Sequence, residues 1–427
     1  MRAAPSIGIA ALLLCAFSGC SGGAEPATST GTATPAAPVA VAVTRHPGLA
    51  ARTLGAEVTL SPADQTAANA LVATGMRLSG AQEYGASLAY FVGGGATEAP
   101  ALQLQQQMLW LARSSTDTKV VVAAVTRLGA LGSSGTDWPV PQKELLMGLI
   151  AHADPHVASA ATCATERNLR GDADVSALIR EAALKHAHPV VRAQACRALE
   201  RRATSLTDDG PSLAALVSAV DDEAPIVALA ALSALGAALW SSHLPADTYA
   251  KLLGAARSPV ALVRAAGIAD LASFVSGQQT ATAQQRAETT ALMVAAFDDP
   301  DPWVRAQMFE LIDLVRGRAA HFDAIVAKLD DGALLAPSMP YEKLALEPST
   351  APEAFAMAVS SGYEPNTVGN YALRAMFNYA RQGDSGRIPA ESRLTTPGDV
   401  PPVEARAALL AWWAANREAA IAAGQRP

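Results

Sequence analysis

The chain has 427 residues, half of them hydrophobic but only 5% aromatic, and 32 basic against 39 acidic side chains give a formal net charge of -7. That balance, with no run of Lys or Arg, excludes the basic face of a nucleic-acid binder and the polybasic patch of an electrostatic membrane binder. Much of the apolar fraction is alanine, the best helix former and the smallest apolar side chain. It suits helices whose backbones pack closely and suits a sheet poorly. Cys15, Cys20, Cys163 and Cys196 are too few for a disulfide-built scaffold.

Residues 1–19 read as an export signal. Arg2 supplies a short positive start, and Ile7 to Phe17 form an apolar run that is too short to span a bilayer, which needs roughly 20 residues. Ser18 and Gly19 then precede Cys20. This small-small-Cys ending resembles a bacterial lipobox, although Phe17 stands where that family usually has Leu. The resemblance implies that Cys20 is lipidated and that the chain is exported and anchored to the bacterial membrane. Ser21 after the cysteine, rather than Asp, implies the outer membrane. Residues 20–50, rich in Gly, Ser, Thr, Ala and Pro, form a tether with a reach on the order of 30 Å.

Residues 51–116 are expected to be an N-terminal helical cap. Ser61-Pro62 is a good start for a helix over 61–78, and ALQLQQQMLWLAR, residues 101–113, is a second. A loop is expected around Gly93, Gly94 and Gly95.

From 117 to 330 one phrase recurs: an acidic or Pro-containing turn, a valine, and an Ala-rich apolar stretch. Aligned on Val120, Val157, Val191, Val227, Val263 and Val304, the phrases fall at intervals of 37, 34, 36, 36 and 41 residues. Five residues on come Val125, Thr162, Cys196, Leu232, Ile268 and Phe309; eight on come Leu128, Thr165, Leu199, Leu235, Leu271 and Ile312. These offsets lie on one helical face, and small residues cluster beside it. Between the phrases, PQKELLMGLIAH, ADVSALIREAALKHA, PSLAALVSAV, PADTYAKLLGAA and AETTALMVAAF each carry helical spacing. Every unit is thus helix, turn, helix, and cannot bury its apolar face alone.

The D-x-x-P-x-V-R-x-x-A flavour of these phrases resembles short bacterial HEAT repeats, of the kind also found in phycobilin lyases. That resemblance implies an all-α fold: an α-solenoid of stacked antiparallel helix pairs with N- and C-terminal helical caps. Arg192, Arg264 and Arg305 match the family's arginine after the valine, whereas Val121, Ala158 and Ala228 replace it in the other units. In the family this arginine meets an acidic residue of a turn, so a ladder between units is implied, interrupted where the arginine is missing.

Residues 331–427 are expected to be a loop-rich helical cap with helices near 351–361, 366–382 and 403–422. The W-W-x-x-N-R of the last helix is similar to the closing helix of many bacterial HEAT proteins. Four of the seven tyrosines fall in this region. Tyr363, Tyr371, Arg374, Tyr379 and Arg381 are the candidate partner-binding set, because aromatic and Arg side chains are enriched at binding hot spots. Filling the cap's own core is the competing role.

The remaining chemistry-bearing residues are weaker candidates. His152 and His156 flank Asp154, but Pro155 makes the segment a turn, and His186 and His188 stand at the next one. Turn residues, not zinc ligands, are expected. The acidic turns at 221–223 and 298–301 suit helix capping better than calcium, which needs six to eight converging oxygens. Cys163 and Cys196 lie on successive equivalent helices and are read as small packing thiols, with a disulfide as the alternative. No phosphate loop, nucleophile elbow or zinc-protease motif is present, so no catalytic residue, metal or cofactor is expected. The expected function is a membrane-tethered, non-catalytic protein-binding scaffold of the bacterial cell envelope. The alternatives are a HEAT-like enzyme with a lyase-type groove site and an envelope assembly or secretion accessory lipoprotein.

Overall fold

A computed structural model of the chain describes residues 54–79, 101–131, 140–168, 172–203, 209–236, 238–239, 244–277, 281–311, 321–333, 372–373, 376 and 402–424. Regular structure among them is helical throughout. The helices are α1 (Pro62–Ser79), α2 (Ala101–Ser114), α3 (Thr118–Leu131), α4 (Val140–Leu149), α5 (Pro155–Asn168), α6 (Ala173–Lys185), α7 (Pro189–Ala203) and α8 (Asp209–Ala219). They continue as α9 (Pro225–Gly236), α10 (Thr248–Ala255), α11 (Ala261–Gly277), α12 (Ala283–Ala295), α13 (Pro302–Leu311), α14 (Phe322–Val326) and α15 (Pro402–Gly424). The chain forms two compact units that divide between Ala219 and Val220.

In each unit the elements alternate between two kinds. The second helix of every pair, α3, α5, α7, α9, α11 and α13, begins two residues before its aligned valine. The valine therefore sits in the first turn of each helix and points inward. Val157, Val191, Val227 and Val304 are fully buried, and Val120 and Val263 nearly so. The residues five and eight positions on are buried wherever their side chains are described, from Val125 and Leu128 to Leu271 and Phe309. Each such side chain contributes roughly 1.5–3 kcal/mol on leaving water if it is Val, Leu, Ile or Phe.

The two threonines of the second phrase fit this core because their hydroxyls stay paired. Thr162 donates to the Ala158 carbonyl at 2.8 Å and Thr165 to the Ala161 carbonyl at 2.6 Å, one turn back, so no polar group is stranded.

Consecutive second helices pack on one another: α3 on α5 and α5 on α7 in the first unit, α9 on α11 and α11 on α13 in the second. Small residues set the spacing. A Cβ on Gly129 of α3 would lie 2.9 Å from the Ala164 Cα of α5, so a larger residue there would push the helices apart. Gly267 of α11 has the same role toward the preceding helix, where an added Cβ would lie 2.6 Å from the Ala255 carbonyl carbon.

Two first-of-pair helices begin three or more residues from where their apolar spacing suggests. The helix expected from Ala287 starts at Ala283, because Thr282 and Gln285 form a reciprocal capping box: Thr282 Oγ1 accepts the Gln285 N–H at 3.1 Å, and Gln285 Oε1 accepts the Thr282 N–H at 2.8 Å. The helix expected from Pro245 starts at Thr248, whose N–H and hydroxyl both donate to the Pro245 carbonyl and close a turn first. In the second unit α15 docks on residues 321–333. Trp413 donates its indole N–H to Asp323 at 3.1 Å and stands edge-on to Phe322, and Arg417 pairs with Asp323. The loop expected around Gly93 and the helices expected near 351–361 and 366–382 lie outside the described residues, apart from residues 372, 373 and 376.

Candidate functional site

The turn inside each of the six pairs, and the turn that follows α14, is built one way. A side-chain acceptor takes the backbone N–H two residues on: Ser115 from Asp117, His152 from Asp154, His186 from His188, Asp222 from Ala224, Ser258 from Val260, Asp299 from Asp301 and Asp331 from Ala333. The first six acceptors stand five residues before the aligned valines. His152 and His186 thus fill the position that Asp and Ser fill elsewhere, each through a ring Nδ1 that must be unprotonated to accept. Burial moves the His152 pKa down from its ordinary value, against the neighbouring Asp154.

The three arginines after the valines act on the same turns. Arg192, Arg264 and Arg305 each donate Nη1 to the carbonyl six residues back, those of His186, Ser258 and Asp299, at 2.7 Å in every case. Two of them also reach forward. Arg264 holds Asp299 in a two-pronged pair, Nε to Oδ2 at 2.7 Å and Nη2 to Oδ1 at 2.8 Å, and Arg305 Nε bonds Asp331 Oδ2 at 2.9 Å. In the second unit the links run without a break from Ser258 through Arg264, Asp299 and Arg305 to Asp331. Burial works to raise the Asp299 pKa, but hydrogen bonds from Arg264 and the Asp301 N–H, with the charges of Arg264 and Arg305, outweigh it and hold the carboxyl low. The bond to Asp299 raises the Arg264 guanidinium in turn.

A second set of pairs joins first helices to neighbouring turns. Lys143 meets Asp172, the N-cap of α6, and Lys251 meets Asp221. Lys328 reaches Asp298 at 2.6 Å. Tyr249 and Arg257 converge on Glu288 of α12, at 3.1 and 2.9 Å.

One buried group departs from the repeat. Seven residues after the valine stand Arg127, Ala164, Ala198, Ala234, Asp270 and Leu311, so an acid follows three alanines. Asp270 is only 9% exposed, and its Oδ2 has no hydrogen-bond partner. The facing residue is Gly236 of α9, where a Cβ would lie 3.2 Å from Asp270 Oδ1. Burial alone pushes this carboxyl well above the usual carboxylate range, so it is held as the neutral acid more readily than any exposed Asp. Composition and motif reading miss Asp270; the signal available in the sequence is that an acid stands where the three preceding units have alanine.

Arg286, Ala287, Thr290, Ala291, Val294 and Ala295 of α12 line, with His321, an open groove of about 650 Å³. Its lining is mostly apolar, and burial lowers the His321 pKa. The sequence candidates Cys20, Tyr363, Tyr371, Arg374, Tyr379 and Arg381 lie outside the described residues. Among the described residues no three His, Cys, Asp or Glu side chains converge as metal ligands, and no helix is long and apolar enough to cross a membrane.

Stacked helix pairs, a repeated polar turn and arginine links between turns define a HEAT-type α-solenoid. Solved structures of the karyopherin Kap121p are similar in fold. The one with Ste12p bound gives a TM-score of 0.53 at 13% identity, and the one with the extreme C-terminus of the protein phosphatase Cdc14p bound gives 0.52 at 14%. In both cases the match covers 83% of this chain and 37% of the karyopherin, so this chain spans little more than a third of those proteins' length. No protein-family profile and no curated protein matches the sequence.

Proposed function

We propose that this chain is a membrane-tethered protein-binding scaffold of a bacterial cell envelope, held by a lipid on Cys20 and acting without catalysis. The observation that carries the binding role is the unbroken linkage from Ser258 to Asp331. It fixes consecutive repeats to one another, so the surface they present is preorganised and loses little conformational entropy when a partner docks. Solenoids use such long faces to hold other proteins, and the Kap121p structures carry protein ligands. Support for the tether comes from the signal-like residues 1–19 with Ser18 and Gly19 before Cys20. Two or three acyl chains anchor firmly where one does not.

In-cell crosslinking of the native protein followed by mass spectrometry tests the binding role. Recovery of a defined protein joined to residues of the repeats is the expected result. Reproducible recovery of a small molecule with no protein would refute it. Cys20→Ala is expected to move the protein from the membrane fraction to the soluble envelope fraction, and unchanged fractionation would refute the lipid anchor.

A further inference from the structure

The crossing of α9 and α11 in the second unit repeats one of the first unit with a single change. Gly129 of α3, nine residues after its valine, meets Ala164 of α5, seven after its own; Gly236 of α9 and Asp270 of α11 stand at the same two offsets. A methyl group fills the first crossing and a carboxyl fills the second. Among the described residues, Asp270 Oδ1 alone lies within 4 Å of a Cβ placed on Gly236, at 3.2 Å, so the carboxyl is the contact that meets this notch. Asp270 is buried, its Oδ2 has no hydrogen-bond partner, and the flanking Ala269, Leu271 and Ala272 are buried with it.

The surroundings of this group suit an acid and not its anion. Gly236 is the last residue of α9, where a helix presents carbonyl oxygens and partial negative charge. A neutral carboxyl has an O–H to give such an end; a carboxylate has only lone pairs. Among the described residues no cation offsets the anion. The sequence of α9 has no ionisable side chain. The other helices packed on α11 carry Tyr249 and Lys251 on α10, Arg286 and Glu288 on α12, and Arg305 and Glu310 on α13. Arg264 belongs to α11 itself but is bound to Asp299. None of these groups acts on Asp270, whose pKa burial alone raises.

We propose that Asp270 is a proton-held latch in the second unit: its neutral carboxyl keeps α9 seated on α11 at Gly236, and loss of its proton to solvent drives the carboxylate out to water and opens that crossing. The closed crossing holds the proton more tightly than the open one, where the carboxyl returns to its ordinary range near pH 4. The closed state is therefore favoured fully below about pH 4. That advantage falls as pH rises and is gone above the closed-state value. One proton is involved, so opening increases by at most about tenfold per pH unit. The latch is independent of any partner and of the lipid anchor.

Amide hydrogen exchange of the full chain, read by mass spectrometry from about pH 4.5 to 9 and corrected for the intrinsic rate at each pH, follows the opening. Residues 225–239 and 261–277 report the crossing, and residues 101–131 of the first unit are the reference. Protection at the crossing is expected to fall by up to about tenfold per pH unit over part of this range, and to stay level at the reference. Asp270→Asn, which keeps the shape, and Asp270→Ala are each expected to remove the pH dependence; the second serves if the buried amide prevents folding. Gly236→Ala sets a Cβ against Asp270 Oδ1. It is expected to lower protection at the crossing about tenfold in the wild-type chain but less than about twofold beside Asp270→Ala. Protection at the crossing that is flat in pH, that rises with pH, or that keeps its slope in the Asp270 variants would each overturn the proposal, as would an equal effect of Gly236→Ala in both backgrounds.

Discussion

Replacing Arg264 by alanine removes three hydrogen bonds at once, two to the Asp299 carboxylate and one to the Ser258 carbonyl. An exposed ion pair is worth 0–1 kcal/mol, whereas removing one partner of a buried pair costs about 3–5 kcal/mol. The side chains of Arg264 and Asp299 are 17% and 10% exposed, which places the site nearer the buried limit. Asp299 still accepts the Asp301 N–H at 2.9 Å, so the stranded carboxylate keeps one donor. A loss of about 2–3 kcal/mol follows. Arg264→Lys, which offers a point charge rather than a fork, is expected to recover less than half of that. Asp299→Asn keeps the turn acceptor and removes the charge, and should cost about 1–2 kcal/mol. The pH dependence gives an independent check. The Asp299 pKa is lower in the fold than in the unfolded chain, so its stabilisation is complete above about pH 4 and is lost as pH falls through the folded value. Arg264→Ala should flatten this acid limb. Urea denaturation followed by circular dichroism, at pH 7 and in steps below pH 4.5, measures both effects. A stability within about 0.5 kcal/mol of wild type at pH 7, the spread usual for surface changes, would refute the reasoning.

Asp270→Ala supplies the residue found in the three preceding repeats and should stabilise the second unit by about 1–2 kcal/mol at pH 7. The Asp270 pKa is raised in the fold, so the wild-type chain is favoured most below the unfolded value near 4 and loses that advantage as pH rises through the folded one; a denaturation series in pH would show this slope vanish in the variant. Gly267→Ala brings a Cβ within 2.6 Å of backbone that no side-chain rotation relieves, and is expected to cost about 3 kcal/mol or prevent folding; a melting curve matching wild type would contradict it. His152 has a lowered pKa, so its share of stability is present above about pH 6.5 and lost as pH falls through the folded value. His152→Asp supplies the acceptor used at Asp222 and Asp299, and its melting temperature should fall less than wild type's between pH 7.5 and 5.

The helix-pair architecture was legible because each valine-led helix carries its own inward face, and that face depends on local spacing alone. The buried offsets from Val125 to Phe309 needed no knowledge of neighbours. Starts governed by polar capping were harder: Thr282 and Gln285 sit among other Ala, Thr and Gln residues, and only their reciprocal bonds mark the end. The forward links of Arg264 and Arg305 join residues 35 and 26 positions apart, so the motif suggests the arginine but the stacking selects the acid. Asp270 was hidden for the opposite reason. One acid in an alanine-rich helix reads as solvent-facing until the adjoining repeat covers it.

The seven turns make their shape with one lone pair each, and Ser, His and Asp supply it interchangeably. Backbone form is thereby separated from electrical character. One unit uses imidazoles at 152 and 186, the other carboxylates at 222, 299 and 331, for the same local task. The molecule can therefore change the chemistry along its turns, from imidazole to carboxylate, without altering the path of the chain.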